Sequence, residues 1–290
     1  MISTTSSGKS FPFPPADSRH PSAPIPPEAR ATSAGLPRCY ARRMTDPWEL
    51  AHAAAHGAGV ELRPLPRVED ADLINGVIEA TWGDQRIDRE VIRALAASGN
   101  VSWGAFDGSD LIGFVLGWAG VDAGGLHIHS HMLAALPDRR HRGVGYALKL
   151  AQRAQALEQG IRVARWTFDP LLARNAWLNL GKLGAVVDAF MRDYYGAMTD
   201  DLNVGERSDR FMVRWDLPRE PGPRAVSGPR TEIAIPVDHQ ELRTRDPDEA
   251  RRWRDEVAVA VEDAMARGEI GVAFDRERSS YLFAKEESPR

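Results

Sequence analysis

LHIHSHMLAALPDRRHRGVGYALKLAQRAQALE, residues 126–158, decides the fold. Its first eleven residues are apolar, β-branched or aromatic enough for a strand that stops at Pro137. A basic turn follows, Asp138-Arg139-Arg140-His141-Arg142-Gly143-Val144-Gly145, and from Tyr146 to Glu158 apolar residues recur at helical spacing. Strand, glycine turn and helix in that order make an anion site. Glycines let the backbone come close to a ligand, and the helix start offers unsatisfied N–H groups at the positive end of its dipole. Phosphate suits such a turn, and Arg139, Arg140 and Arg142 add cations that grip phosphate oxygens in pairs.

Two familiar phosphate loops are excluded by what comes next. A P-loop ends in Gly-Lys-Ser or Gly-Lys-Thr, whereas this turn continues Gly145-Tyr146-Ala147; a dinucleotide fingerprint needs Gly or Ala where Leu148 stands.

Working outward, VSWGAF (101–106) and LIGFVLGWAG (111–120) flank Asp107-Gly108-Ser109-Asp110, a hairpin signal, so two antiparallel strands precede the decisive one. Upstream, Asp46 is placed to cap a helix starting at Pro47, and residues 60–65 suit a strand. Helices are expected over 69–82 and 87–97. Downstream, ARWTFDP (164–170) reads as a buried strand, 172–183 as a helix ending at Gly184, and 185–191 and 211–217 as strands. After the Pro- and Gly-rich joint at 218–229 come a strand over 232–237, a helix over 247–267 and strands over 271–274 and 281–284. Trp253, Val257, Val261 and Ala264 or Met265 mark one face of that helix, with charges on the other.

The chain has 290 residues, with 37 Lys+Arg against 41 Asp+Glu, a formal charge of −4 that gives no reason to expect a nucleic-acid partner. Hydrophobic residues at 43% supply a core. Cys39 is the single cysteine, which excludes an internal disulfide and a thiolate metal cluster. With no long apolar run and no secretory signal, neither a membrane span nor export is expected, and the cytoplasm is the expected setting. Residues 1–45, dense in Pro, Ser and Ala, read as a disordered tail, with Met44 a possible true start. The expected domains are then 46–218 and an extension, 219–290, packing on that core or on a dimer partner.

Arg140-x-x-Gly143-x-Gly145 resembles the Arg/Gln-x-x-Gly-x-Gly/Ala signature of the GNAT superfamily, the acyl-CoA-dependent N-acyltransferases. His129 to Met132 and residues 201–211 are further similar to a branch of predicted acetyltransferases. The resemblance spans about residues 60–217. It implies an α/β fold with a strongly bent mixed sheet, helices on both faces and a V-shaped opening between two splayed strands, plus the C-terminal α/β extension. It implies acyl-CoA as co-substrate, its diphosphate on Arg140, His141, Arg142, Gly143, Val144, Gly145 and Tyr146. Its pantetheine arm would pair with Leu133, Ala134 and Ala135, one of whose amides would hold the oxyanion. Asn175, two positions later than the family's helix-start asparagine, is a further candidate for the arm.

An amine attacking a thioester must lose a proton, and histidine, with an ordinary pKa of about 6.5, is suited to take it. Alternation puts His127, His129 and His131 on one strand face. His129 stands where some family members carry a carboxylate base. It is the expected base, with His131 beside it as base, relay or acceptor ligand; a purely structural role is the plain alternative. His-x-His can also furnish two zinc ligands, with His52, His56, His141 or His239 as a third, but no spacing selects one and no metal is expected. The family's leaving-group tyrosine is replaced by Leu180. Tyr195, Tyr194, Tyr146 or water are the substitutes, Tyr195 first. Asn203, Ser208, Asp209 and Arg210 form a polar cluster, Asn203, Ser208 and Arg210 being the expected acceptor contacts. Arg210 is suited to a carboxylate of the acceptor or of a dicarboxylic acyl group. The expected reaction moves acetyl by default, with succinyl as the alternative, to a small amine such as an amino acid, in a homodimer; the rival is a CoA-binding sensor without turnover.

Overall fold

A computed structural model describes residues 45–139, 142–200 and 203–286. The expectations placed on residues 1–44, and those for Arg140 and His141, lie outside the described residues. The elements are α1 (Pro47–Gly57), β1 (Glu61–Pro64), α2 (Asp70–Trp82), α3 (Arg89–Ala97), β2 (Val101–Asp107), β3 (Asp110–Asp122), β4 (Gly125–Ala135), α4 (Val144–Glu158) and β5 (Val163–Phe168). They continue with α5 (Ala173–Ala176), β6 (Val186–Met191), β7 (Arg210–Asp216), β8 (Thr231–Ala234), α6 (His239–Arg245), α7 (Pro247–Ala266), β9 (Glu269–Asp275) and β10 (Ser280–Lys285). No described helix is long and apolar enough to cross a membrane.

Ten strands form one sheet in the order β1-β2-β3-β4-β5-β7-β6-β9-β10-β8. Every neighbouring pair is antiparallel except β4 and β5. The sheet is therefore mixed, as the resemblance implies. Asp107 pairs with Asp110, so the first hairpin turns on Gly108 and Ser109, with Gly108 at φ +62° where only glycine is unstrained. Alternation, shifted by a bulge at Ile112, divides the core between two faces. Ile112 and Val115 join the cluster under α1 and α4, whereas Phe114 and Leu116 join Ile74, Ile78 and Ile92 under α2 and α3. Helices cover both faces.

Three local expectations need correction. The helix read over 172–183 is only one α turn, α5, followed by a π-helical turn, Trp177–Lys182. The wider turn lets the Trp177 ring fold back over Gly181, where a Cβ would meet ring atoms at 2.2 Å. Gly181→Ala is expected to lower stability by about 1–3 kcal/mol, read as a fall in Tm. The short helix α6 is absent from the sequence reading, and Asp238 caps it through Glu241 N. Finally, the face of α7 is not purely apolar: Arg254 is only 4% exposed and sits in the stripe with Ala250, Val257, Ala258 and Val261, while Trp253 is only half-buried.

The strands of 219–290 are continuous with the rest. β9 pairs with β6 at Gly271 and Val187, and α7 packs on β6, β8 and β9.

Candidate functional site

Parallel pairing between β4 and β5 is brief. Ile128 pairs with Ala164 and His129 with Arg165, and there the ladder ends, so β4 from Ser130 onward keeps only its β3 partner. A wedge opens between the two strands. Leu133, Ala134 and Ala135 continue β4 along the wedge, their other edge paired with Val115, Phe114 and Gly113 of β3.

At the wide end of the wedge lies the glycine turn. Gly143, at φ +94°, is the N-cap of α4, and no side chain caps that helix. Its first amides are thus left to a ligand or to water. The Val144 side chain is buried in the core, so only its backbone can meet a ligand. A Cβ on Gly145 would stand 3.6 Å from Leu133 and 3.9 Å from Leu178, directed across the opening. Arg142 is exposed beside the turn, and the half-buried Tyr146 ring lies under the Lys182 ammonium at 5.6 Å. Burial raises the Tyr146 hydroxyl above its ordinary range. Asn175 is half-buried, its backbone N–H donating to Leu172 O. These groups suit the diphosphate and arm of a CoA thioester: open amides, a cation and a channel that a side chain would fill.

A bulge shapes the other face of β4. Leu116 pairs with Met132 and Gly117 with Ser130, which leaves His131 as the extra residue. His129 and His131 both lie against Trp118, with ring centroids at 5.1 and 4.7 Å, and 5.9 Å from each other. His127 is apart, buried over Gly120 and hydrogen-bonded through Nδ1 to Gly125 O. Desolvation, then the neighbouring charges of His131, His127 and Lys149, push the His129 imidazolium down; desolvation does the same for His131. Both rings are therefore biased toward the neutral, proton-accepting form. Among the described residues no group of three His, Cys, Asp or Glu is gathered to hold a metal.

Tyr195 reaches the same face. Its hydroxyl lies 3.1 Å from Thr167 Oγ1, two residues along β5 from Arg165, the partner of His129. Ser208 builds the turn that holds it: Ser208 Oγ accepts from Tyr195 N and donates to Asp193 Oδ1. Of the three expected acceptor contacts, Ser208 and Arg210 are buried and already engaged. The Arg210 guanidinium donates to Asp209 O, Met198 Sδ and Asn203 Oδ1 and lies over the Tyr195 ring. Asn203 donates in turn to Asp200. The cluster braces the Tyr195 turn from within. Leu180 is fully buried and carries no proton donor, so this position cannot protonate a thiolate in the wedge.

Two groups escape a sequence reading. Arg254 of α7 donates to both Asp169, just past β5, and Glu206, and its neighbours Arg243 and His239 also reach Glu206. With Arg207 to Asp255 and Arg192 to Glu262, α6 and α7 clasp the connection that carries Tyr195. Lys149 is 2% exposed on α4, beneath the apex of the wedge. It reads from spacing as one more helix charge, and only the tertiary structure shows it buried.

Residues 71–179 match the family model described as Acetyltransferase (GNAT) family. Similar solved structures include the ribosomal-protein-S18-alanine N-acetyltransferase from Escherichia coli, at 14% identity and TM-score 0.44, covering 59% of this chain and 98% of that one. The NatC complex bound to Gag peptide and CoA is similar at 17% identity and TM-score 0.46, covering 54% and 98%. Arabidopsis thaliana Naa50 in complex with a bisubstrate analogue is similar at 14% and 0.43, covering 54% and 97%. None of the curated proteins matches. Residues 71–179 form an acetyltransferase domain of the GNAT family.

Proposed function

We propose that the chain moves an acyl group from acyl-CoA to the primary amine of a small acceptor, by direct attack in a ternary complex. The observation that carries this reading is the early end of the β4–β5 ladder, with the uncapped glycine turn at its mouth and His129 at its apex. The diphosphate takes the first amides of α4, and the arm runs along Leu133 to Ala135. The acceptor enters from the face of Trp118, His129, His131 and Tyr195.

The amine nitrogen bonds to the thioester carbon as the C–S bond breaks. The proton leaving nitrogen goes to His129, directly or through water, and the thiolate takes one from Tyr195 or from solvent. A thiol of pKa about 8.5 leaves without a strong acid, so the absence of a tyrosine at Leu180 does not forbid turnover.

Isothermal titration with acetyl-CoA and CoA tests the reading, and folded protein that binds neither rejects it. Gly145→Val is expected to weaken CoA binding by about tenfold or more, because the new side chain fills the channel between Leu133 and Leu178. Gly145→Ala, whose Cβ meets Leu133 and Leu178 only at ordinary contact distance, is the control and should keep a Tm near that of the parent. The buried Leu180 favours one second reading, a CoA-binding sensor. Thiol release across a panel of amines separates the two, because binding without any release supports the sensor.

A further inference from the structure

The apex of the wedge holds a buried lysine amine with no carboxylate partner among the described residues. Ser130 and Trp166 are the first residues past the last β4–β5 pair, and the Lys149 ammonium sits between them. Its Nζ donates to Ser130 Oγ at 2.7 Å and Gln152 Oε1 at 3.3 Å, and lies 3.6 Å from the Trp166 ring centroid. No carboxylate pairs with it among the described residues. Burial alone drives its pKa well below the ordinary lysine value. Beside it the Gln152 side chain is fully buried, and its Nε2 has no hydrogen-bond partner among the described residues. A buried amide left without a partner is destabilising, and keeping a buried amine protonated without a carboxylate is more so. One ligand group would satisfy both donors, a carboxylate.

We propose that Lys149, Gln152 and Ser130 seat a carboxylate at the far end of the acyl chain, so that the preferred donor is a short dicarboxylic acyl-CoA of the succinyl class. This rests on the acyl-CoA reading above. The thioester carbon lies on the His129 side of the apex, and the far end of the chain reaches the Lys149 amine where it fills the gap between Ser130 and Trp166. There the carboxylate replaces the Trp166 face as the partner of the ammonium and accepts from Gln152 Nε2. The bonds made and broken at the thioester are unchanged. Arg210, the sequence's own candidate for this carboxylate, is already engaged by Asp209, Met198 and Asn203.

Titration of the full chain with succinyl-CoA and butyryl-CoA tests this, because the two esters differ in a carboxylate against a methyl group. Succinyl-CoA should bind about tenfold tighter or more, the effect of one charge-assisted contact. Lys149→Met keeps the stem and removes the charge, and should erase the difference. Should that variant not fold, Gln152→Leu must narrow the gap to a third or less of its parent value. Equal affinities in the parent protein overturn the proposal, as does a preference that persists in folded Lys149→Met. Binding of butyryl-CoA or acetyl-CoA without a succinyl preference sinks this inference alone, whereas binding of no CoA compound removes the acyl-CoA reading and this proposal with it.

Discussion

Replacing His129 with alanine should lower kcat by about 10²- to 10⁴-fold, the range a positioned general base supplies. The acyl donor should bind nearly as before, because its arm lies along Leu133 to Ala135 and its diphosphate on the turn. The pH profile gives a sharper reading than the rate alone. A base works when unprotonated, and desolvation together with His131, His127 and Lys149 holds the His129 pKa below its ordinary 6.5. Activity of the parent protein should therefore rise with pH through an inflection below 6.5 and be flat through neutrality. His131→Ala relieves both the crowding and one of the charges, so its inflection should move upward. An unchanged turnover in His129→Ala from pH 6 to 9 would remove His129 from the chemistry.

The largest expected effect on stability is at Arg254, far along the chain from the glycine turn. Arg254→Met leaves Asp169 and Glu206 without their main cation in a buried setting, which costs about 3–5 kcal/mol. A Tm fall of roughly 10 °C would follow for a chain of this size. Activity should fall further than folding requires, because the same ion pairs hold the connection that carries Tyr195. Burial alone would raise the Glu206 carboxyl, yet the hydrogen bond to His239 and the charges of Arg254 and Arg243 hold it at about 2. A carboxyl with a depressed folded pKa adds stability above its unfolded value, near 4.5, and loses it as the pH falls toward 2. Acid unfolding of the parent protein should track that window, and Arg254→Met should flatten it. An unaltered acid profile would mean that these charges do not couple the extension to the core.

Periodicity and turn chemistry made most of the architecture legible. The 107–110 hairpin, the strand under the three histidines and the helix behind Gly145 all follow from local rules, because each is a period or a glycine with a single favourable conformation. The wedge was legible only through the resemblance: nothing in ARWTFDP says that its ladder with β4 stops after two pairs. Buried charges were harder. Arg254 falls four residues after Ala250 and so lies within the apolar stripe, a signal present in the spacing but outweighed by the surrounding charges. Lys149 offers no such signal, since its burial depends on Ser130 and Trp166, brought to it from two other strands. The π turn at 177–182 goes with the Trp177 ring lying over Gly181, a contact that helical periodicity does not encode.

A crystal structure of the protein with acetyl-CoA tests the central claim most directly. The account predicts the diphosphate on the amides of Gly143 to Tyr146, the arm beside Leu133 to Ala135, and the thioester within reach of His129. A wedge left empty, with the nucleotide bound on another surface, would contradict it.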